Sequence, residues 1–261
     1  MTGRVNIDVQ ADRGLAVLEL SNPDRQNAIS STMWDTIRKF AGEAGDRPEI
    51  RVILVRGSGT TFSAGADISE FDAARSNAAN ARAYDDCIEM SCQQLEAVPQ
   101  PTIAVIDGLC WGAGASLAAS CDLRIASDDA SFAVPAARLG LGYDVRGIRR
   151  LVRVFGAGAT TFLLYTAKRL TAKRACDIGA VHVLVEPERL AGAAFDLADE
   201  IASNAPLTIA AAKLGIRGIA QGNEELLTEA QRLAILADAS ADYREGRAAF
   251  AEKRKPRFAG C

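Results

Sequence analysis

Residues 57–68 of this sequence read GSGTTFSAGADI, and residues 108–116 read GLCWGAGAS. Each segment follows an apolar run typical of a strand, at 50–55 and 102–106, and precedes a stretch with helical character. Small residues at such a turn allow backbone N–H groups to approach a ligand at the start of a helix. One such turn is typical of a tight strand-to-helix connection, whereas two together could supply two N–H donors to one developing oxyanion.

The rest of the chain alternates strands and helices at first and then becomes mainly helical. Strands are predicted at 15–20, 50–55, 102–106, 122–126 and 131–134, with helices at 31–43 and 78–98. After residue 145, helices are predicted at 146–155, 157–166, 171–178, 188–204, 207–220 and 224–237, with one short strand near 181–185. This order predicts an α/β core over residues 1–190 and a helical region over residues 191–261 that is a candidate for subunit packing.

Composition excludes several classes of function. A formal net charge of −3 and the lack of a long apolar run make a nucleic-acid surface and a membrane span unexpected. Residues 1–10 lack a signal-peptide pattern, so a cytoplasmic location is expected. The 6 cysteines contain no CxxC pair and are expected to be reduced, and the single histidine makes a metal site unexpected. His182 lies in the apolar run 181–185, which favours a structural role. Neither glycine segment matches the dinucleotide-binding motif GxGxxG or the P-loop motif GxxxxGKS/T.

Ordered motifs along the chain resemble one family. They are NPDRQNA at 22–28, FSAGADI at 62–68, PTIAVIDG at 101–108 with WGAG at 111–114, ASCDLRIA at 119–126, and DYREG at 242–246 followed by Phe250 and EKRKP at 252–256. With this order and spacing, the chain is similar over essentially its whole length to the crotonase superfamily, also called the enoyl-CoA hydratase/isomerase family. The resemblance implies a spiral of ββα units with a C-terminal helical trimerisation region, assembled as a homotrimer or a dimer of trimers. It also implies an acyl-CoA substrate, with coenzyme A as part of the thioester and no permanently bound cofactor.

The resemblance implies roles for individual residues. By position, the backbone N–H groups of Ala66 and Ala113 would hold the thioester oxygen. The family usually has glycine at the place of Ala113, and the N–H group is kept. Phe250 and Lys253 would reach the CoA of a neighbouring subunit. The other residues expected to bind the substrate are Arg25, Ala28, Ala64, Asp67, Ile68, Gly112 and Ala136.

The sequence departs from the hydratase pattern at two positions. Hydratases of this family use two glutamates, and the corresponding positions carry Ser116 and Ala136. Ser116 would need an activating partner to act as a base, and Ala136 can carry out no proton chemistry. Standard hydration is therefore not expected.

Tyr143 and Asp144 are further candidates for the chemistry. In several members of the superfamily an acidic residue at the place of Asp144 acts on the substrate. In the methylmalonyl-CoA decarboxylase branch a tyrosine at the place of Tyr143 helps to hold the leaving carboxylate. The alternatives are a Tyr143 ring packed under its loop and an Asp144 side chain that caps the helix starting near Val145. Asp85, Asp86 and Glu89 lie on the helix that roofs the pocket in this family and could add a carboxylate, but a solvated helix face is the commoner explanation. Arg138 and Arg146 could pair with Asp144 or with an acidic substrate. Charges at the surface or at an interface are the interpretation for Arg149, Arg150 and Arg153.

Three functions remain open from the sequence. The first is an enzyme that acts on an acyl-CoA or enoyl-CoA through an oxyanion-stabilised enolate, with Asp144 as the acid or base. The second is decarboxylation of a malonyl-type acyl-CoA, in which loss of CO₂ forms the enolate and no general base is needed. The third is a catalytically silent protein that binds acyl-CoA esters without turnover.

Overall fold

The structure is a computed structural model that describes residues 3–261, and in this range it contains nine strands and ten helices. The strands are β1 (Arg4–Gln10), β2 (Leu15–Ser21), β3 (Val52–Gly57), β4 (Thr102–Ile106), β5 (Leu109–Trp111), β6 (Leu123–Ser127), β7 (Ser131–Ala133), β8 (Leu170–Thr171) and β9 (Val183–Val185). The helices are α1 (Ser31–Ala44), α2 (Phe71–Ala74), α3 (Ala78–Ala97), α4 (Ala113–Ser120), α5 (Val145–Thr166), α6 (Ala172–Asp177), α7 (Pro187–Ala202), α8 (Pro206–Gln221), α9 (Glu224–Ala239) and α10 (Ala241–Glu252).

The strands form two sheets connected by repeated ββα units. The larger sheet has the order β1-β2-β3-β4-β6-β9 and is parallel except between β1 and β2. The smaller sheet has the order β5-β7-β8. Two strands are followed by a helix in β1-β2-α1, in β4-β5-α4 and in β6-β7-α5. The predicted α/β fold built from ββα units is confirmed.

Helices cover both faces of the larger sheet. In β3, Val52 and Leu54 pack in one apolar cluster with α7, whereas Ile53 and Val55 belong to the cluster formed with α1, α3 and α4. This arrangement follows from the side-chain alternation of a strand, because consecutive residues point to opposite faces. Strands buried on both faces are apolar throughout, as the run at 52–55 is.

The sequence predicted most elements but not all of them, and the two-residue strand β8 is among those it missed. Strand β4 has the predicted bounds, and Gly156, with a backbone φ of +74°, divides α5 where two helices were predicted. No strand was predicted for β1 or β5, and no helix for α10. Strand β1 lies at the edge of the sheet and is only partly buried, and β5 is just 3 residues long.

The C-terminal helices differ in how they meet the core. Helix α7 crosses the predicted boundary at residue 190 and packs on the sheet through Leu190, Ala194 and Ala198. Helices α8 and α9 instead leave apolar side chains exposed, namely Ile216, Ile219, Ile235 and Leu236.

Within residues 3–261, no helix is long and apolar enough to cross a membrane. The same part of the chain contains no cluster of His, Cys, Asp and Glu side chains that could hold a metal ion.

Candidate active site

The two glycine-rich turns lie side by side. The N–H group of Ser63 donates to the carbonyl of Leu109 at 2.8 Å, and the N–H group of Trp111 donates to the carbonyl of Ser63 at 2.9 Å. Gly65 has a φ of +118°, and a Cβ atom at this position would lie 3.1 Å from the carbonyl oxygen of Trp111 and 3.6 Å from the nitrogen of Ala113. Glycine is therefore needed at 65 both for the backbone angle and for the close approach of the second turn.

Ala66 and Ala113 present backbone N–H groups from these turns. Within residues 3–261 neither group donates to another protein atom, although the neighbouring N–H groups of Asp67 and Gly112 donate to Ile29 and Ala133. Ala113 is the first residue of α4, where N–H groups lack an intrahelical partner and the helix dipole favours negative charge. Both N–H groups therefore remain available to donate to a bound ligand.

Ala66 and Ala113 line a cavity of about 170 Å³. Most of its wall is apolar, with Ile88, Val134, Leu139 and Leu141 as the large aliphatic groups. The predicted site residues that line it are Ala64, Ala66, Ile68, Gly112, Ala113, Ser116, Ala136, Tyr143 and Asp144. The structure therefore brings together the two turns, Ser116, Ala136 and the Tyr143–Asp144 pair.

Ser116 and Tyr143 form a hydroxyl pair in the cavity wall. Their oxygens are 2.8 Å apart, with Ser116 on α4 and Tyr143 just before α5. Burial raises the pKa of Tyr143 to about 12, so its hydroxyl stays protonated at neutral pH. The pair can donate a hydrogen bond to a substrate oxygen but is no base at neutral pH.

Asp144 caps α5 and is held by an arginine. Its Oδ1 accepts hydrogen bonds from the backbone N–H and the Nε of Arg146, and its Oδ2 accepts one from Nη2 at 2.6 Å. Arg146 also pairs with Asp86 at 2.7 Å. The hydrogen bonds from Arg146 hold the pKa of Asp144 below its ordinary value, so its carboxyl group is ionised at neutral pH.

Replacing Arg146 with glutamine is expected to destabilise the protein more at neutral pH than in acid. Asp144 is ionised in both the folded and unfolded states well above its ordinary pKa of 3.8, and there the ion pair contributes fully. As the pH falls below that value the unfolded state takes up the proton first, so the contribution is lost. Urea denaturation at neutral pH and near pH 3 measures the difference. Arg169→Gln, which removes a guanidinium that stacks on Trp111, is the control, and a wild-type-to-variant difference that does not shrink in acid contradicts the prediction.

Comparison with known proteins places the chain in a family. The family model described as enoyl-CoA hydratase/isomerase matches residues 10–260. This chain belongs to the enoyl-CoA hydratase/isomerase family. It is 33% identical to the methylmalonyl-CoA decarboxylase of Escherichia coli, over 97% of this chain and 98% of that protein. It is 34% identical to the crotonyl-CoA hydratase of Syntrophomonas wolfei, over 97% of both chains.

A solved structure of the family has the same architecture. It is a putative enoyl-CoA hydratase/isomerase family protein from Hyphomonas neptunium, 37% identical over 97% of both chains, with a TM-score of 0.90. The predicted crotonase-like fold is thereby confirmed. Family members are named for different reactions, so membership alone does not identify the reaction of this chain.

Several residues that the family resemblance assigned to CoA lie outside the cavity wall. Arg25 pairs with Asp67 at 3.1 Å, and Asp67 also accepts hydrogen bonds from the backbone N–H and hydroxyl of Ser69. Ala28 is buried, and its carbonyl accepts a hydrogen bond from Asn22. Phe250 and Lys253 lie at the end of α10, where the Phe250 side chain is exposed.

The structure corrects the interpretation of two charged residues of this family member. Glu89 and Arg150, which were expected to be solvated or interface groups, are 3% and 4% exposed. They form two hydrogen bonds with each other, at 3.0 and 2.9 Å, and Arg150 also donates to Glu96 at 2.8 Å. A buried charge requires such partners, so this pair ties α3 to α5 beside the cavity.

The cavity wall also contains Arg75, a charged residue that the sequence did not single out for the site. Arg75 follows α2 and pairs with Asp85 on α3. Asp85 itself lines the cavity, which agrees with the less common of its two interpretations.

The single histidine and the cysteines have structural environments. His182 accepts a hydrogen bond at Nδ1 from the backbone N–H of Arg124, and burial lowers its pKa. All six cysteines are free thiols in the structure. Burial raises the pKa of the Cys92 thiol to about 11, so it stays protonated at neutral pH.

Proposed function

We propose that this protein converts an acyl-CoA thioester through an enolate whose oxygen is bound by the N–H groups of Ala66 and Ala113, and that the reaction is decarboxylation of a malonyl-type acyl-CoA. The observation that carries this proposal is the pair of unpaired N–H groups in the cavity wall. Each such donor in a site shielded from water contributes about 3 kcal/mol of transition-state stabilisation.

The groups around the donors support decarboxylation over hydration. Ser116 and Ala136 occupy the positions of the two hydratase glutamates, and Ser116 bonds to Tyr143 at 2.8 Å. Loss of CO₂ leaves its electron pair on the α-carbon and forms the enolate directly, so no base has to remove a proton. In this proposal the Tyr143 hydroxyl holds the substrate carboxylate, and Ser116 is a positioning residue for Tyr143. The similarity to a methylmalonyl-CoA decarboxylase agrees with this assignment.

Isomerisation of an enoyl-CoA with Asp144 as acid or base is the second candidate. It is favoured by one observation, the presence of the Asp144 carboxylate in the same cavity wall. Against it stand the hydrogen bonds from Arg146, which occupy both carboxylate oxygens and lower the pKa of Asp144.

The proposal extends to the CoA part of the substrate and to assembly. Arg25 and Lys253 supply cations for the CoA phosphates, and Phe250 provides an exposed ring for the CoA bound to a neighbouring subunit. The exposed apolar side chains of α8 and α9 support a homotrimer or a dimer of trimers, because such faces are usually covered in an assembly.

The reaction is tested with matched variants and a panel of CoA esters. Tyr143→Phe is expected to lower the rate of CO₂ release from methylmalonyl-CoA by about 10-fold to 100-fold, because a hydrogen bond to a charged group is lost. Asp144→Asn is expected to leave most of that activity in place. Mass spectrometry of each variant with methylmalonyl-, crotonyl- and dienoyl-CoA measures both effects.

Each other outcome identifies a different function. Activity on dienoyl-CoA that is lost in Asp144→Asn and kept in Tyr143→Phe contradicts decarboxylation and supports isomerisation. Binding of the esters without any change in mass or isomer composition supports the silent acyl-CoA binder instead.

A further inference from the structure

Asp85 places a carboxyl group in the cavity wall. The proposed function assigns roles to Ala66, Ala113 and Tyr143 but none to Asp85. This residue lies on α3 and faces the same cavity as Ala66, Ala113 and Tyr143. Asp86, the next residue on this helix, forms an ion pair with Arg146.

Arg75 holds the Asp85 carboxyl group in position. Arg75 Nη2 donates a hydrogen bond to Oδ1 of Asp85, which either a protonated or an ionised carboxyl group can accept, and the Arg75 guanidinium lies over the rings of Phe71 and Tyr84, at 5.1 and 5.3 Å from the centroids. A guanidinium stacked on two rings has little freedom to move. The carboxyl group is therefore fixed at the wall, although 27% of the Asp85 side chain remains exposed.

The pKa values of Asp85 and Asp144 are shifted in opposite directions by their environments. Burial raises the pKa of Asp85 above its ordinary value, and the negative charge of Asp144 acts in the same direction, against Arg75 and Arg146. The bonds from Arg146 lower the pKa of Asp144. Two carboxyl groups in one cavity that are shifted in opposite directions are typical of a division between an acid and a permanently ionised group.

We propose that Asp85 is the catalytic acid that delivers a proton to the α-carbon of the thioester enolate, with Arg75 as its positioning residue. This inference rests on the proposed function and adds the proton donor that decarboxylation leaves unassigned. A decarboxylase needs no base for the first step, but its enolate must still be protonated before the product can leave.

The proposed reaction has two steps, loss of CO₂ and protonation of the enolate. The bond between the α-carbon and the substrate carboxylate breaks, CO₂ leaves, and the electron pair forms the enolate held by Ala66 and Ala113. The O–H bond of the Asp85 carboxyl group then breaks as the α-carbon–hydrogen bond forms, and the thioester carbonyl is restored. The Asp85 carboxylate takes a proton from water before the next turnover.

Decarboxylation of methylmalonyl-CoA in D₂O tests the assignment. The wild type is expected to release CO₂ and to give propionyl-CoA with deuterium at the α-carbon in one configuration. Asp85→Asn is expected to lower the rate about tenfold and to give both configurations, because water replaces the fixed donor. Asp72→Asn, an exposed carboxylate on α2 that does not line the cavity, is the matched control and is expected to behave as the wild type. An Asp85→Asn product with one configuration and an unchanged rate overturns the inference.

Arg75→Gln provides a second test that does not remove the acid itself. The charged groups with the largest effect on Asp85 are Arg75, after α2, and Asp144 and Arg146, at the start of α5, and Glu89 on α3 lines the same cavity. Arg75 lowers the pKa of Asp85, so its loss raises that pKa. An acid works only while protonated, and the decline of kcat with rising pH is therefore expected to move to higher pH in the variant. A decline at an unchanged pH overturns the inference.

Failure of the decarboxylase proposal can be told apart from failure of this inference. If the wild type releases no CO₂, decarboxylation is wrong, and exchange of the α-protons of propionyl-CoA with D₂O decides the role of Asp85 separately. Exchange that is lost in Asp85→Asn keeps Asp85 as the group that moves a proton at the α-carbon. Exchange that persists in the variant, or is absent from the wild type, overturns it.

Discussion

Replacement of Ala113 by proline is expected to lower kcat by about 100-fold to 1000-fold while the protein remains folded. Ala113 is the first residue of α4, a position at which proline is tolerated because the N–H group has no helical partner. The substitution therefore removes the proposed oxyanion donor without removing a hydrogen bond of the fold. Initial rates with methylmalonyl-CoA and the circular dichroism spectrum measure the two parts of this prediction.

A proline at the start of another helix controls for the substitution itself. Glu224 is the first residue of α9 and does not line the cavity, so Glu224→Pro is expected to keep the wild-type rate. If Ala113→Pro keeps more than about a tenth of the wild-type kcat, its N–H group is not an important donor.

Replacement of Glu89 by alanine is expected to lower the free energy of unfolding by about 3–5 kcal/mol. The change leaves the charge of Arg150 buried with a single carboxylate partner, Glu96. Urea denaturation measures the loss. Glu229→Ala, which breaks an exposed pair with Arg232, is the control and is expected to cost less than about 1 kcal/mol.

A double variant separates the charge from the packing. Changing both Glu89 and Arg150 to methionine removes both buried charges, and is expected to restore part of the stability that Glu89→Ala loses. A loss below about 1 kcal/mol in Glu89→Ala would show that this pair does not hold α3 on α5.

The elements that the sequence predicted are those with local start and stop signals. Strand β4 lies between Pro101 and the Asp107–Gly108 turn, and its bounds were predicted without error. Strand β1 carries the alternating pattern Val5, Ile7 and Val9, but its polar partners and its place at the sheet edge weaken the apolar signal. Helix α10 begins at a serine cap, Ser240, which is a local signal that the prediction did not use.

The same distinction applies to the candidate site. Features with a local sequence signal could be predicted, and contacts between distant residues could not. The turns that present Ala66 and Ala113 could be found in the sequence because glycine and small residues mark them directly. The contact between Ser116 and Tyr143 joins residues 27 apart, and that between Glu89 and Arg150 joins residues 61 apart. No local pattern indicates such pairs, so a carboxylate in the cavity wall and one on a solvated helix face look alike in the sequence.

The proposed oxyanion donors are main-chain groups, whereas the other polar groups proposed to act on the substrate are side chains. A mutation at Ser116, Ala136 or Asp144 changes a side chain of the cavity wall, but it leaves the backbone bonds between Ser63 and the β5 segment in place. A lineage can therefore change its reaction without losing the means of stabilising an enolate.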